Sequence, residues 1–221
     1  MSSRLIALIP AYNEAARVGE VVTKTRQHVN EVVVIDDGSG DDTAMVAEKA
    51  GAKVLRHEQN RGKGGAIATA LDYFGRSDAE FAILLDADGQ HDPAEIKKFV
   101  EAAQGDNAAV AVGTRMNDVR NMPRVRRWTN QFTSWVTGKL ARQKIPDSQC
   151  GFRLLRRSVL KDLKFSTARF ETETEMLIQA GRAGHKIVSV PIRTIYEAGR
   201  ASRIRPWRDT ARFFKLVRKY W

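Results

Sequence analysis

Residues 80–93 read EFAILLDADGQHDP: five successive apolar side chains from Phe81 to Leu85, then Asp86, Asp88, Gln90 and Asp92 on alternate positions. A run this short and this continuously apolar, rather than alternating, reads as a strand buried on both faces. Pro93 directly after Asp92 is a helix-start signal, with Asp92 as N-cap. The stretch is therefore strand, acidic turn, helix. Asp86 and Asp88 flank one residue as the chain leaves the strand, so both carboxylates can converge above the sheet edge, with Gln90 two residues on. Oxygen donors at this density suit Mg2+ or Mn2+, which keep positions open for phosphate oxygens. A plain Asp-rich capping turn is the alternative for such a pattern taken alone.

The same grammar extends outward. RLIALI (4–9) precedes a helical pattern from about Glu14 to His28; EVVVID (31–36) precedes one from Asp42 to Ala50. AKVLRH (52–57) precedes Gly64 to Phe74, and the helix after Pro93 reaches about Ala103 before AAVAVGT (108–114). Apolar strands alternating with amphipathic helices predict an α/β fold with a mostly parallel sheet covered by helices. Ligands in such sheets bind beyond the carboxyl ends of the strands. Those ends are polar here: PAYNEA, DDGSGDDT, NRGKGG, DADGQHD and GTR. Beyond Arg115 the alternation gives way to a basic helix from about Val125 to Arg142, the segment DSQCGFRLLRR, a helix from Glu171 to Ala183, a strand KIVSVPI and a basic aromatic helix from about Arg208. No repeat or linker divides the 221 residues, so one domain is expected, with 1–115 as a nucleotide and metal half and 116–221 as an acceptor and membrane-interface half.

Cys150, the single cysteine, can form neither an intramolecular disulfide nor a zinc cluster, and a reducing, cytoplasmic location is the expectation. No secretory signal is expected, and no run of 18 apolar residues is present. The net charge is +11, but residues 115–144 and 193–221 each carry +7 and leave the remainder slightly acidic. A nucleic-acid binder would explain the basic segments; it would not explain five polar strand ends on an acidic half.

Seven motifs in order, IPAYNEA, VIDDGSGDDT, NRGKGGAI, DADGQHDP, GTR, DSQCGFR and SRIRPWRD, resemble glycosyltransferase family 2 with its GT-A fold. Within it they resemble the dolichyl-phosphate mannose synthase-like, polyprenyl-phosphate branch. The resemblance implies a nucleotide-sugar donor site walled by Pro10, Ala11, Tyr12 and Glu14, with Asp36 toward the base, Asp37 shaping its turn, and Lys63, Asp86 and Ala87 alongside. It implies a Mg2+ or Mn2+ ion on Asp86, Asp88 and Gln90. Catalytic roles fall on Asp88, Arg115, Asp147 and Glu173, and phosphate or acceptor contacts on Arg115, Arg127, Arg153, Ser202 and Arg203. Asn13 reads as a helix N-cap. Cys150 stands where the branch more often has Ser. NRGKGG lacks the Walker pattern, so ATPase activity is disfavoured. Glu173 and Glu175, at i and i+2, point to different helix faces and cannot both act at one centre; for Glu173 a solvated helical face is the other reading.

A phosphomonoester acceptor is already ionised near neutrality and needs arginines more than a base, whereas a hydroxyl acceptor needs a general base. The second half is rich in arginine. Trp128, Phe132, Trp135, Val136 and Leu140 recur at helical spacing among Arg124, Arg126, Arg127, Lys139 and Arg142. Trp207, Phe213, Phe214, Val217, Tyr220 and Trp221 form a second such set. Both helices can lie in an anionic membrane surface or pack on the sheet. The reading is an inverting, metal-dependent hexose transferase acting on polyprenyl phosphate at a membrane, with transfer to a hydroxyl as its rival.

Overall fold

The computed structural model describes residues 4–116, 124–164, 171–193 and 206–221. In chain order the elements are β1 (Leu5–Ala11), α1 (Val18–Thr25), β2 (Glu31–Asp36), α2 (Thr43–Lys49), β3 (Lys53–Arg56), α3 (Lys63–Arg76), β4 (Phe81–Leu84) and α4 (Ile96–Gly105). Then come β5 (Val110–Thr114), α5 (Arg124–Ala141), β6 (Arg153–Arg156), α6 (Glu171–Arg182), β7 (Ile187–Pro191) and α7 (Pro206–Tyr220). The strands form one sheet in the order β3-β2-β1-β4-β6-β5-β7. β1 pairs parallel with β2 and β4, β2 with β3, and β5 with β7; β6 runs antiparallel to both β4 and β5. This is the expected mostly parallel α/β sheet with flanking helices.

The apolar runs explain the middle of the sheet. Ile6 to Ile9, Val33 to Ile35 and Ala82 with Ile83 are fully buried, as strands covered on both faces must be. Strand order reverses between β1 and β4, so the loops after these two strands open on the crevice where such sheets take ligands.

Three expectations need correction. The first helix does not start at Glu14: residues 14–17 form a turn closed by Arg17 and Val18 N–H donation to the Glu14 carbonyl, and α1 begins at Val18. Asn13 is therefore not its N-cap. It sits at φ 52° and its side chain accepts from Gly40 N, tying the first strand-end loop to the second. DSQCGFRLLRR, read only as a segment, supplies β6, which separates β4 from β5. By contrast, Asp92 does accept from Ala94 N with Pro93 in the first turn, as expected.

Neither basic helix simply packs on the sheet. Val136 and Leu140 of α5, Ile178 of α6, and Phe213 and Leu216 of α7 form their own small core. The α5 apolar set is split: Val136 and Leu140 are inside, while Trp128, Phe132 and Trp135 are 69%, 38% and 59% exposed, with Val125 beside them at 79%. On α7 Phe214 is exposed, as is Trp221 just past its end, and the Trp207 side chain lies outside the described residues. No described helix is long and apolar enough to cross a membrane.

Candidate active site

The carboxyl ends of the first three strands are in register, Ala11 opposite Asp36 and Asp36 opposite Arg56. Their loops are bolted together by side-chain bonds. Asn13 N donates to Ser39 Oγ (2.9 Å), Glu14 N to Thr43 Oγ1 (2.8 Å) and Ala15 N to Asp41 Oδ2 (3.2 Å). Asp37, buried, accepts Arg61 N at 2.9 Å and meets His57 Nδ1 at 2.7 Å, whose other ring nitrogen reaches Thr69 Oγ1 at 2.9 Å. Gly38 is at φ 72°, and a Cβ there would lie 2.7 Å from the Gln59 carbonyl carbon, so only glycine lets these loops touch. Asp36 is fully buried, accepting from Ser39 N (3.0 Å) with Arg56 Nε at 3.2 Å. Tyr12 is half exposed above this row, Pro10 partly so, and Ala11 and Glu14 are buried.

Lys63 opens α3 after Gly62, and its ammonium crosses the crevice to Asp86 Oδ1 at 2.7 Å and Glu173 Oε2 at 3.1 Å. One side chain thus joins the loop after β3, the acidic turn after β4 and the first turn of α6. Burial alone would lower the Lys63 ammonium; the Asp86 and Glu173 carboxylates outweigh it and raise it. Burial likewise works to raise the Asp86 carboxyl, yet Lys63, with help from His91 and Arg115, holds it down to about 2. Asp86 is therefore an ionised carboxylate in the crevice at any physiological pH. Gly151 explains how the pair fits: a Cβ there would lie 2.8 Å from Asp86 Oδ2 and 3.2 Å from Lys63 Nζ.

The turn itself is tight. Gln90 N donates to Asp88 Oδ1 (3.0 Å), Ala87 is buried, and Asp86 N donates to His91 Nδ1 (3.3 Å). Burial pushes His91 below its usual value, and its ring stacks on Phe152 with centroids 5.0 Å apart. His91 supports the turn from beneath. It lay unassigned inside the DADGQHD motif. Among the described residues no three His, Cys, Asp or Glu side chains form a closed metal cage. The donors of Asp86, Asp88 and Gln90 still fit a hard divalent cation, since Mg2+ and Mn2+ take one or two carboxylates and fill the remaining positions with water and substrate oxygens.

On the other side of the crevice, Arg115 follows β5 and meets Asp147 in a two-point pair, Nε to Oδ2 at 2.8 Å and Nη2 to Oδ1 at 3.0 Å. The Asp147 side chain is wholly buried. Burial would raise its carboxyl, but the Arg115 and Asn130 bonds keep it below the usual range. Among the described residues Asp147 is thus the buried anchor of Arg115 rather than a group open to the crevice, a correction to the catalytic role expected of it. Arg153 is corrected too. It is fully buried, and its guanidinium donates to the carbonyls of Cys150 (2.7 Å), Ser148 (2.8 Å) and Glu173, so it holds protein backbone rather than an acceptor phosphate.

Glu173 and Glu175 do face different ways, but neither is solvated. Glu173 meets Lys63; Glu175, fully buried, meets Lys219 (2.8 Å) and accepts from Tyr220 Oη (2.9 Å). Cys150 packs against Gly113, whose added Cβ would lie 2.9 Å from its sulfur, and burial pushes its thiol up to about 12. It is a packing residue, not a nucleophile. Arg127 is exposed on α5. Ser202 and Arg203 lie outside the described residues. Two cavities of about 290 and 260 Å3 lie away from this crevice, one lined by Arg26 and Lys53 and the other by Arg142 and Trp221.

Comparison with known proteins agrees with this geometry. Residues 6–164 match glycosyl transferase family 2. The chain is 34% identical over 220 residues to the UDP-N-acetylglucosamine–dolichyl-phosphate N-acetylglucosaminyltransferase of Methanococcus voltae, covering 89% of this chain and 88% of that one. It is 27% identical over 205 residues to the polyprenol monophosphomannose synthase of Mycolicibacterium smegmatis, covering 86% and 77%. In fold it resembles Mycobacterium tuberculosis glucosyl-3-phosphoglycerate synthase, solved with Mn2+, UDP-glucose and glycerol 3-phosphate: TM-score 0.70 at 20% identity, over 98% of this chain and 78% of that one. The chain belongs to glycosyl transferase family 2, with that family's GT-A fold.

Proposed function

We propose that the chain moves a hexose from a nucleoside diphosphate donor to a polyprenyl phosphate, with inversion at the anomeric carbon, at the surface of an anionic membrane. The observation that carries this reading is the division of cations around one acidic turn. Lys63, on the donor side of the crevice, sits on Asp86, while Arg115, at the end of the same half, is fixed by Asp147 of the other half. Glu173, the acid that the resemblance puts on the acceptor side, is itself engaged by Lys63. An arginine held for an anion, beside an acid already paired, suits an acceptor that arrives ionised. The two curated relatives named above are a dolichyl-phosphate and a polyprenol-phosphate enzyme, which supports the same acceptor class.

In this mechanism Tyr12 and the row Ala11, Asp36 and Arg56 hold the nucleoside, and Lys63 stays near the diphosphate. Asp86, Asp88 and Gln90 would hold Mg2+ or Mn2+, as Mn2+ accompanies UDP-glucose in the tuberculosis enzyme. A divalent ion bound there supplies Lewis-acid neutralisation of the charge on the leaving diphosphate. Arg115 binds and orients the attacking phosphate, whose oxygen displaces the diphosphate from the far face of the sugar. Arg115→Ala is expected to weaken use of the acceptor through loss of charge-assisted bonds worth about 1.5–3 kcal/mol each, roughly 10- to 150-fold per bond. Glu173→Gln keeps a neutral partner for Lys63 and should retain at least about a tenth of the wild-type rate, the cost of one ~1.4 kcal/mol interaction. Radiolabel transfer into an organic phase containing polyprenyl phosphate measures both. A loss of three orders of magnitude in Glu173→Gln, with donor binding intact, would establish a general base and move the assignment to a hydroxyl acceptor.

The outer face of α5 supplies the lipid contact. Val125, Trp128, Phe132 and Trp135 form one exposed stripe, with Trp128 stacked on Phe132 at 5.9 Å, on a helix that carries four Arg/Lys and no Asp or Glu. Aromatic rings with flanking cations match the interface of an anionic leaflet. Sedimentation with vesicles containing anionic phospholipid should weaken at high salt and fall by about tenfold or more in Trp128→Glu with Trp135→Glu. Vesicle binding that survives both changes would remove α5 as the contact.

A further inference from the structure

Besides the apolar Val136 and Leu140, the inner side of α5 buries polar residues. Asn130, Ser134 and Thr137 are 5%, 2% and 0% exposed. Buried polar side chains are costly unless each has a partner, and two of these spend theirs on the segment that carries Asp147. Asn130 Nδ2 donates to Asp147 Oδ1 at 3.0 Å, and one turn later Ser134 Oγ accepts from Ser148 N at 2.8 Å. Asp147 gathers five donors: Arg115 N (3.2 Å), Nε (2.8 Å) and Nη2 (3.0 Å), Gln149 N (3.2 Å) and Asn130 Nδ2. Of these, four belong to Arg115 or to Asp147's own loop. Asn130 is the one from a separate, rigid element.

That difference matters because a carboxylate turns easily about its last side-chain torsion, which has broad rather than sharp minima. A two-point Arg–carboxylate pair stays coplanar as it swings, so Arg115 and Asp147 alone fix each other but not the direction of the guanidinium. The bonds from Arg115 N and Gln149 N hold the carboxylate within its own loops, and the Asn130 bond ties its plane to α5. Asn suits this task since it donates to Asp147 without adding a second charge beside it, and its Oδ1 faces the Ser134 hydroxyl at 3.5 Å.

We propose that Asn130 is a positioning residue that orients Arg115, through Asp147, for a phosphate-bearing acceptor. The inference rests on the phosphate-acceptor reading of the site. Misplacement of a binding group by about 1 Å costs up to roughly 10^2-fold. Asn130→Ala should therefore raise the acceptor KM by about 10- to 100-fold, with the donor KM little changed and the melting temperature lowered by a few degrees for one lost buried bond. In an Arg115→Ala background the same substitution should have no further effect on acceptor KM, since the group it acts through is gone. A third readout needs no acceptor: the Arg115 Nε–H resonance of 15N-labelled protein, assigned by its loss in Arg115→Lys, should shift in Asn130→Ala. If Asn130→Ala folds poorly, Asn130→Ser, smaller and still polar, is measured in the same way.

A fall in kcat with both KM values unchanged, or an effect on acceptor KM equally large without Arg115, would make Asn130 merely structural and overturn the proposal. If the wild-type protein transfers nothing to polyprenyl phosphate, the functional reading fails by itself. The orientation of Arg115 is then decided by the resonance alone, and an unmoved Nε–H overturns it.

Discussion

Asp88→Ala is expected to lower sugar transfer by about 10^3-fold or more while leaving the protein folded. The first part follows from the chemistry of the turn. Neutralising a leaving diphosphate is a Lewis-acid task worth several kcal/mol, and about 4 kcal/mol is 10^3-fold in rate. The second follows from its place. Asp88 is only partly buried, and the turn bond it accepts from Gln90 N at 3.0 Å resembles a cap whose loss costs about 1 kcal/mol. Asp86→Ala is a less clean test, because it also deprives Lys63 of its nearer partner. Transfer measured with Mn2+ and again in EDTA, beside a melting curve, separates the two parts. Full activity in EDTA would remove the metal from the mechanism.

Arg153→Ala is expected to act on stability instead. Its guanidinium is fully buried and bound to the carbonyls of residues 148, 150 and 173, so truncation takes a charged donor from three backbone acceptors and opens a cavity. Breaking a buried charged network costs about 3–5 kcal/mol, which for a chain of this size lowers the melting temperature by about 6–20 °C. Arg153→Lys should recover little, because one ammonium cannot span three divergent carbonyls. A variant that melts like wild type but uses the acceptor poorly would return Arg153 to the role its motif suggested. The same bonds explain the motif's position. Arg153 ties the strand β6 to the first turn of α6, which sets Glu173 opposite Lys63.

These cases show where a sequence reading of this chain succeeds and where it stops. The strands β1 to β5 and the polar loops after them were legible because each is a local signal: an apolar run of strand length, then residues that suit a turn and a ligand. Asp86, Asp88, Gln90 and Lys63 stood out for the same reason, as polar residues of the loops that follow such runs. Asn130 gave no signal at all, being one polar residue in a basic aromatic helix. Arg153 and Asp147 gave a misleading one, since charged residues in a family motif suggest substrate contact, and nothing local distinguishes a guanidinium that faces a ligand from one that faces three carbonyls.

The sequence by itself determined the parallel α/β half, the acidic turn beyond β4 and the absence of a second cysteine to pair with Cys150. Those depend on periodicity, residue chemistry and neighbours within a few positions. Only the tertiary structure decided that β6 enters between β4 and β5, that Lys63 joins Asp86 to Glu173, that Asp147 pairs with Arg115, and that α5 keeps Val136 and Leu140 inside while leaving Trp128 and Trp135 outside. Each of those is a pairing between residues 20 or more positions apart, or a choice between two faces of one helix. Such choices are set by what the rest of the chain brings to the other side, and that information is not contained in any local stretch.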